Sequence, residues 1–195
     1  MPHIFWHKTC FITEPDTNQS AFNKKPKRRN CKSKSEQNLR DAFAGESQAN
    51  RKYLAFSKKA DKEGYTQVAK LFRAAAAAET VHAHAHLRTL KGVGATADNL
   101  KEAIAGETHE FKTMYPAMIE DAKAEDDKGA LRSFEYANAV EKVHANLYEN
   151  ALAEMDGMAA ADYYVCNVCG YTCENEAPDE CPVCKAKKKA FFKVD

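Results

Sequence analysis

Glu-x-x-His occurs twice in this chain, at Glu79 to His82 and at Glu141 to His144, and each copy follows an earlier lone glutamate, Glu46 or Glu107. Positions i and i+3 share one face of a helix, so each Glu/His pair can offer an oxygen and a nitrogen to the same cation. A carboxylate can bridge two cations, whereas an imidazole can only terminate one. Glu79 and Glu141 are therefore the expected bridges, with Glu46 and Glu107 terminal on opposite ions. An oxygen-rich set that contains histidine suits iron or manganese better than zinc.

The spacing belongs to a longer duplication. Asn38-Leu39-Arg40-Asp41-Ala42-Phe43-Ala44-Gly45-Glu46-Ser47 returns as Asn99-Leu100-Lys101-Glu102-Ala103-Ile104-Ala105-Gly106-Glu107-Thr108, identical or similar at every position. One Glu-x-x-His is weak evidence, since it arises readily by chance; two copies in register are strong. Four carboxylates and two imidazoles are the ligand set of a two-metal site inside a four-helix bundle. The copies differ at Glu110, where the first repeat has Ala49. It is a seventh candidate ligand, able to exchange with His82 as metal charge changes, because added positive charge favours an anionic ligand. A second site is written in Cys166-x-x-Cys169 and Cys181-x-x-Cys184, a spacing for four thiolates around one tetrahedral metal. Ligand arithmetic leaves zinc and a redox-active iron both open there, and the aromatic frame of Tyr163, Tyr164, Tyr171, Phe191 and Phe192 suits the iron form.

These residues need long helices to hold them. Residues 35–156 read as four helices broken at Lys62 to Gly64, Lys91 to Asp98 and Glu125 to Gly129, where turn and cap residues cluster. Two antiparallel hairpins would bring the ligands of each hairpin to one level. Joining them into an all-α ferritin-like bundle within one chain needs a link as long as a helix, about 36 Å for 24 residues. Eight residues reach only about 29 Å fully extended. Either the bundle has simple up-down topology or, as the favoured expectation, hairpins swap between two chains, each site drawing half its ligands from each subunit of a homodimer. Pro116 predicts a local kink one turn past Glu110. Tyr53 and Tyr115 are candidates to donate hydrogen bonds to ligand carboxylates, with core packing the alternative role. Residues 162–195 are too few to bury a sufficient core and should fold on their metal.

A formal net charge of +1 gives no global signal for nucleic acid, and no apolar run approaches the ~20 residues of a membrane span. Cysteines spaced for metal fit a reducing, cytoplasmic setting better than disulfides. Residues 1–34 are basic, include Lys24-Lys25-Pro26-Lys27-Arg28-Arg29, lack sustained periodicity and read as a disordered extension. Cys10, Cys31 and Cys173 receive no role.

Over residues 36–195 the sequence resembles the rubrerythrin family. The resemblance rests on Ala42-Phe43-Ala44-Gly45-Glu46-Ser47-Gln48-Ala49, both Glu-x-x-His motifs and Met114-Tyr115-Pro116. It rests equally on Cys166-Asn167-Val168-Cys169-Gly170-Tyr171, Ala177-Pro178 and Cys181-Pro182-Val183-Cys184. It implies a ferritin-like bundle followed by a small rubredoxin-like domain, and a non-haem di-iron peroxidase acting in oxidative stress defence. Hydrogen peroxide is the implied substrate, with electrons from a rubredoxin or an NAD(P)H-dependent reductase. The implied cofactors are two iron ions held by Glu46, Glu79, His82, Glu107, Glu110, Glu141 and His144, and one iron held by Cys166, Cys169, Cys181 and Cys184. Lys185 departs from the pattern, standing where the second knuckle usually has glycine; positive φ there would cost roughly 1 kcal/mol. A competing reading of the same bundle is a ferroxidase or iron store, and a third is a zinc-knuckle binding protein with a vestigial bundle site. The one-electron module argues against the first, and intact ligands in both halves argue against the second.

Overall fold

The computed structural model describes residues 33–195, so the expected extension before Ser35 lies almost wholly outside the described residues. Helix α1 spans Lys34–Lys62, capped by Ser33, whose hydroxyl accepts from the Glu36 N–H at 3.0 Å. Helix α2 spans Thr66–Thr89 and is built on the Ala74–Ala78 run of strong helix formers. The two pack antiparallel along a seam of small residues: Ala69, Ala76 and Ala83 recur every seven positions and are 0, 1 and 6 % exposed. Asn50 spans that seam from α1, donating from Nδ2 to the Ala76 carbonyl at 2.7 Å and to Thr80 Oγ1 at 2.9 Å. Tyr53, Phe56 and Phe72 form an aromatic cluster nearby, with ring centroids 5.6 to 6.4 Å apart. Tyr53 thus takes part in packing.

The second hairpin is α3 (Thr96–His109), one π turn (Glu110–Met114), α4 (Tyr115–Ala124) and the return helix α5 (Lys128–Ala153). Asp127 caps α5 by accepting from the Gly129 and Ala130 N–H groups, each at 2.9 Å. The expected break at Pro116 is instead a widened turn. The Tyr115 N–H bonds to the Glu110 carbonyl five residues back, and Pro116 enters at the start of α4, where its missing N–H costs little. The same turn accounts for a register difference between the repeats, which are offset by 61 residues at Glu46/Glu107 but 62 at Glu79/Glu141. Sixteen residues separate Glu46 from the end of α1 and seventeen separate Glu107 from the end of α4, while both return helices reach their glutamate in thirteen. The extra residue sits in the limb that contains the π turn.

Only Leu90–Ala95 connects α2 to α3. Six residues span about 20 Å at most, against about 36 Å for a helix the length of α2. Accordingly, α1 packs on α2, and α3, the π turn and α4 pack on α5, with at most marginal contact between the two hairpins. Among the described residues, no helix is long and apolar enough to cross a membrane.

A three-stranded antiparallel sheet follows, β1 (Tyr163–Cys166), β2 (Thr172–Glu174) and β3 (Phe191–Val194), in the order β2-β1-β3. Its most buried residues are Cys166, Cys181 and Ala177, so the thiol cluster is itself the core. Two matching turns shape the cluster: the Gly170 N–H donates to the Cys166 carbonyl at 2.8 Å, and the Lys185 N–H to the Cys181 carbonyl at 3.0 Å. Gly170 has φ +85° and Lys185 has φ +63°, so Lys185 occupies the left-handed conformation expected for glycine.

Candidate metal centres

Each hairpin gathers one glutamate from its outgoing helix and a Glu/His pair from its return helix. Glu46, Glu79 and His82 bring ligand atoms within 4.8 Å of one another, and so do Glu107, Glu141 and His144. In the first cluster His82 Nδ1 is 3.0 Å from Glu79 Oε2, and the His82 side chain is 56 % exposed. In the second, His144 Nδ1 is 2.8 Å from Glu141 Oε2 and 3.9 Å from Glu107 Oε1. Asn50, one turn beyond Glu46, holds α1 against α2 where the first cluster forms.

The second cluster is charged beyond what it can sustain without a cation. Burial, then the neighbouring Glu141 with its shared hydrogen bond and Glu110, push the Glu107 carboxyl up to about 7, against a smaller lowering by His144. Tyr115, whose ring packs against Phe134 at 6.3 Å between centroids, is raised by burial and then by Glu110, Glu141 and Glu107. Glu110 opens the π turn beside the cluster and acts on both neighbours electrostatically without joining the set that shares a common ion position. His84 and His109 are exposed, and neither they nor His86 belongs to a cluster.

In the small domain, Cys166, Cys169, Cys181 and Cys184 converge, with Sγ atoms 3.6 Å apart for Cys166 and Cys184 and 3.5 Å for Cys169 and Cys181. Burial pushes the Cys169 and Cys184 thiols up; at Cys166 it is outweighed by backbone N–H groups of Val168 and Cys169, which hold that thiol low. Four thiolates so close need a cation to ionise together.

The two metal-binding regions touch. His144 Nε2 lies 3.0 Å from Thr172 Oγ1 at the start of β2, and Val140, 2 % exposed, packs beneath Gly170. Nothing local in the sequence marks Thr172, whose partner is 28 residues away.

Residues 37–152 match the family Rubrerythrin, and residues 164–192 match the family Rubrerythrin, rubredoxin-like domain. The chain belongs to the rubrerythrin family. It is 37 % identical to Rubrerythrin-2 of Clostridium acetobutylicum over 170 residues, 78 % of this chain and 92 % of that protein. Nigerythrin of Nitratidesulfovibrio vulgaris is 34 % identical, covering 80 % of this chain and 84 % of that protein. Rubrerythrin of Porphyromonas gingivalis is 36 % identical, covering 82 % and 89 %. Among solved structures, partially reduced nigerythrin matches with a TM-score of 0.51 at 32 % identity, over 91 % of this chain and 94 % of that one. Membership fixes the architecture as a ferritin-like helical domain followed by a rubredoxin-like sheet domain. The donor sets agree with the iron cofactors of a rubrerythrin: carboxylate oxygens and imidazole suit a di-iron pair, and a tetrathiolate suits a rubredoxin-type iron.

Proposed function

We propose that this rubrerythrin is a peroxidase that reduces hydrogen peroxide to water with electrons passed through the tetrathiolate iron. The observation that carries the reading is the contact between the two centres: a thiolate site, suited to one-electron traffic, rests through Thr172 on a histidine of the carboxylate cluster. An iron store has no use for such an attached module.

The reaction consumes one peroxide, two electrons and two protons and yields two waters. Iron bound in the bundle supplies the reducing electrons at the oxygen–oxygen bond. Glu46, Glu79, His82, Glu107, Glu110, Glu141 and His144 would hold it; the carboxylates of Glu79 and Glu141 could serve both ions, and Glu110 could take the place of His82 as the charge on the metal rises. Cys166, Cys169, Cys181 and Cys184 are assigned to the third iron. With no metal bound, burial and the neighbouring Glu141 raise the Glu107 carboxyl to about 7, so a cation taken up there would displace its proton near neutral pH. Tyr115 stays protonated, leaving its hydroxyl free to donate to the surrounding carboxylates.

The active unit in this proposal is a homodimer with swapped hairpins, residues 35–156 forming the bundle and 162–195 the electron-entry domain. The face of α2 that carries Glu79 and His82 supports it: Val68 and Leu71, which share that face, are 45 and 68 % exposed although the family fold is a bundle. A second copy would cover this face and bring the Glu46 cluster of one protomer to the Glu107 cluster of its partner. The six-residue connection is too short for the long crossover of a ferritin-like bundle closed within one chain, which favours exchange of hairpins over that route. Electrons arrive from a separate rubredoxin or NAD(P)H-dependent reductase in the reducing cytoplasm. Of the four lysines between Lys185 and Lys189, Lys187 and Lys188 are engaged with Glu180 and Glu176, each at 2.7 Å, so the basic patch is weaker than its composition suggests.

The test is stopped-flow mixing of the fully reduced, iron-loaded protein with hydrogen peroxide, following the colour of the ferric tetrathiolate. Rapid reoxidation with two electrons consumed per peroxide, lost in Glu79→Ala, is expected. Slow oxidation that prefers dioxygen would overturn the reading in favour of iron handling.

A further inference from the structure

The two histidines of the duplicated motif are equivalent in sequence and different in surroundings. Among the described residues, the His82 ring nitrogens have one hydrogen-bond partner, Glu79. The His144 ring is gripped on both sides, by Glu141 at Nδ1 and by Thr172 at Nε2. Thr172 belongs to the other domain, so the thiolate module reaches into the environment of one bundle histidine only.

A hydroxyl group has one proton to give. Thr172 Oγ1 lies 3.1 Å from the Gly170 carbonyl in a geometry that makes it the donor there. With its proton committed to Gly170, it can only accept at its second contact, the 3.0 Å approach of His144 Nε2. Nε2 must then carry the hydrogen, and in a neutral imidazole Nδ1 is left with the lone pair. That lone pair faces Glu141 Oε2 at 2.8 Å and Glu107 Oε1 at 3.9 Å, a close approach that only a proton carried by the carboxyl or a bound cation can hold, and these are the carboxylates with which it shares a possible ion position.

The anchor is hydrogen-bonded on one side and packed on the other. Gly170 lies between Cys169 and Tyr171, and its own N–H is held by the Cys166 carbonyl. A β-carbon at Gly170 would lie 3.8 Å from Cγ1 of Val140, the residue immediately before Glu141. The first knuckle and the Glu141–His144 turn of α5 therefore pack together.

We propose that Thr172 is a positioning residue for the bundle site, locking His144 in the tautomer whose Nδ1 can bind metal, so that docking of the cysteine module sets the metal affinity of the half-site it covers. This rests on the reading of Glu107, Glu141 and His144 as metal ligands. Residues that orient a metal-bound histidine through its second nitrogen commonly change affinity by about 10- to 100-fold when removed. Thr172→Val keeps the shape of the side chain and cannot accept from Nε2; Thr172→Ser keeps the hydroxyl.

Two measurements decide it. The first is the tautomer of His144 from long-range proton–nitrogen NMR of protein carrying zinc in the cysteine site and no metal in the bundle, in buffer alkaline enough to keep imidazole neutral. The second is titration of the same protein with cobalt(II), read from its visible bands. Zinc content and far-UV circular dichroism check that each variant is folded.

Expected are an Nε2–H tautomer in the parent protein, loss of that single tautomer and about 10- to 100-fold weaker cobalt binding in Thr172→Val, and recovery of both in Thr172→Ser. A proton on Nδ1 in the parent, or cobalt binding in Thr172→Val as tight as in the parent, overturns the proposal. A parent protein that shows the Nε2–H tautomer but takes no cobalt in the bundle would instead overturn the ligand assignment, and the affinity role of Thr172 with it.

Discussion

Replacing Lys185 with glycine should make the cysteine module harder to strip of its metal. Lys185 holds φ at +63°, in the same turn where the first knuckle has Gly170 at +85°. A side chain in the left-handed region costs roughly 1–2 kcal/mol, and glycine removes that cost. Glycine also returns about 0.5–1 kcal/mol of freedom to the unfolded chain. The lost hydrogen bond from Lys185 Nζ to the Pro182 carbonyl, 3.2 Å and exposed, changes little. The net gain is about 0.5–1 kcal/mol, a two- to fivefold slower loss of metal if the folded module must open to release it. The assay is the decay of the ferric tetrathiolate colour in chelator and mild denaturant. Lys185→Ala is the control, since it deletes the ammonium and leaves the backbone strained. Lys185→Gly releasing metal as fast as Lys185→Ala would show that the left-handed turn is not strained and refute the reasoning. Gly170→Ala should move the other way by about 1 kcal/mol, because its β-carbon would meet Val140 at an ordinary contact distance and only the backbone would suffer.

Two further outcomes follow from the bundle. With no metal bound, Glu107 holds its proton up to about pH 7 in the folded protein but only to about 4.5 as an ordinary carboxyl. The folded state thus binds more protons between these values, and stability present at the low end is lost as pH rises through about 7. The full conversion is discounted because the side chain keeps 21 % of its exposure, leaving about 1–2 kcal/mol, measurable as a falling urea midpoint and abolished in Glu107→Gln. Asn50→Ala should cost about 1–3 kcal/mol in a denaturant titration, since it leaves a buried seam without the amide that joins Ala76 and Thr80 to α1.

Much of the site was legible because duplication converts weak local signals into a pattern. Glu79 alone is an ordinary helical glutamate; with His82, and with Glu141 and His144 in register behind it, it marks one helix face, and the structure gathers each set as the repeat implies. The tetrathiolate cluster was legible for the same reason, as was the strain at Lys185. The π turn was missed, although the repeat contained its trace: the offset grows from 61 to 62 residues between the glutamate and the Glu/His pair. Asn50 was missed because a polar residue on a small-residue seam reveals its partner only after the helices are docked. Thr172 was invisible because its role depends on how one domain sits on another, which no periodicity records. The link between the hairpins was legible as short, but it was read as Lys91 to Asp98, whereas Thr96, Ala97 and Asp98 already form the first turn of α3 and leave only Leu90–Ala95 to connect.

The most direct test of a peroxidase site assembled from two copies is activity in a mixed dimer of Glu46→Ala and Glu107→Ala, each inactive by itself. If hairpins swap, one site of the mixed dimer receives both damaged halves and the other receives both intact halves. Peroxide-driven reoxidation of the tetrathiolate iron should then recover to about half that of the parent dimer. If each site were closed within one chain, both sites of the mixed dimer would lack a ligand, and activity no higher than that of the separate variants would contradict the account.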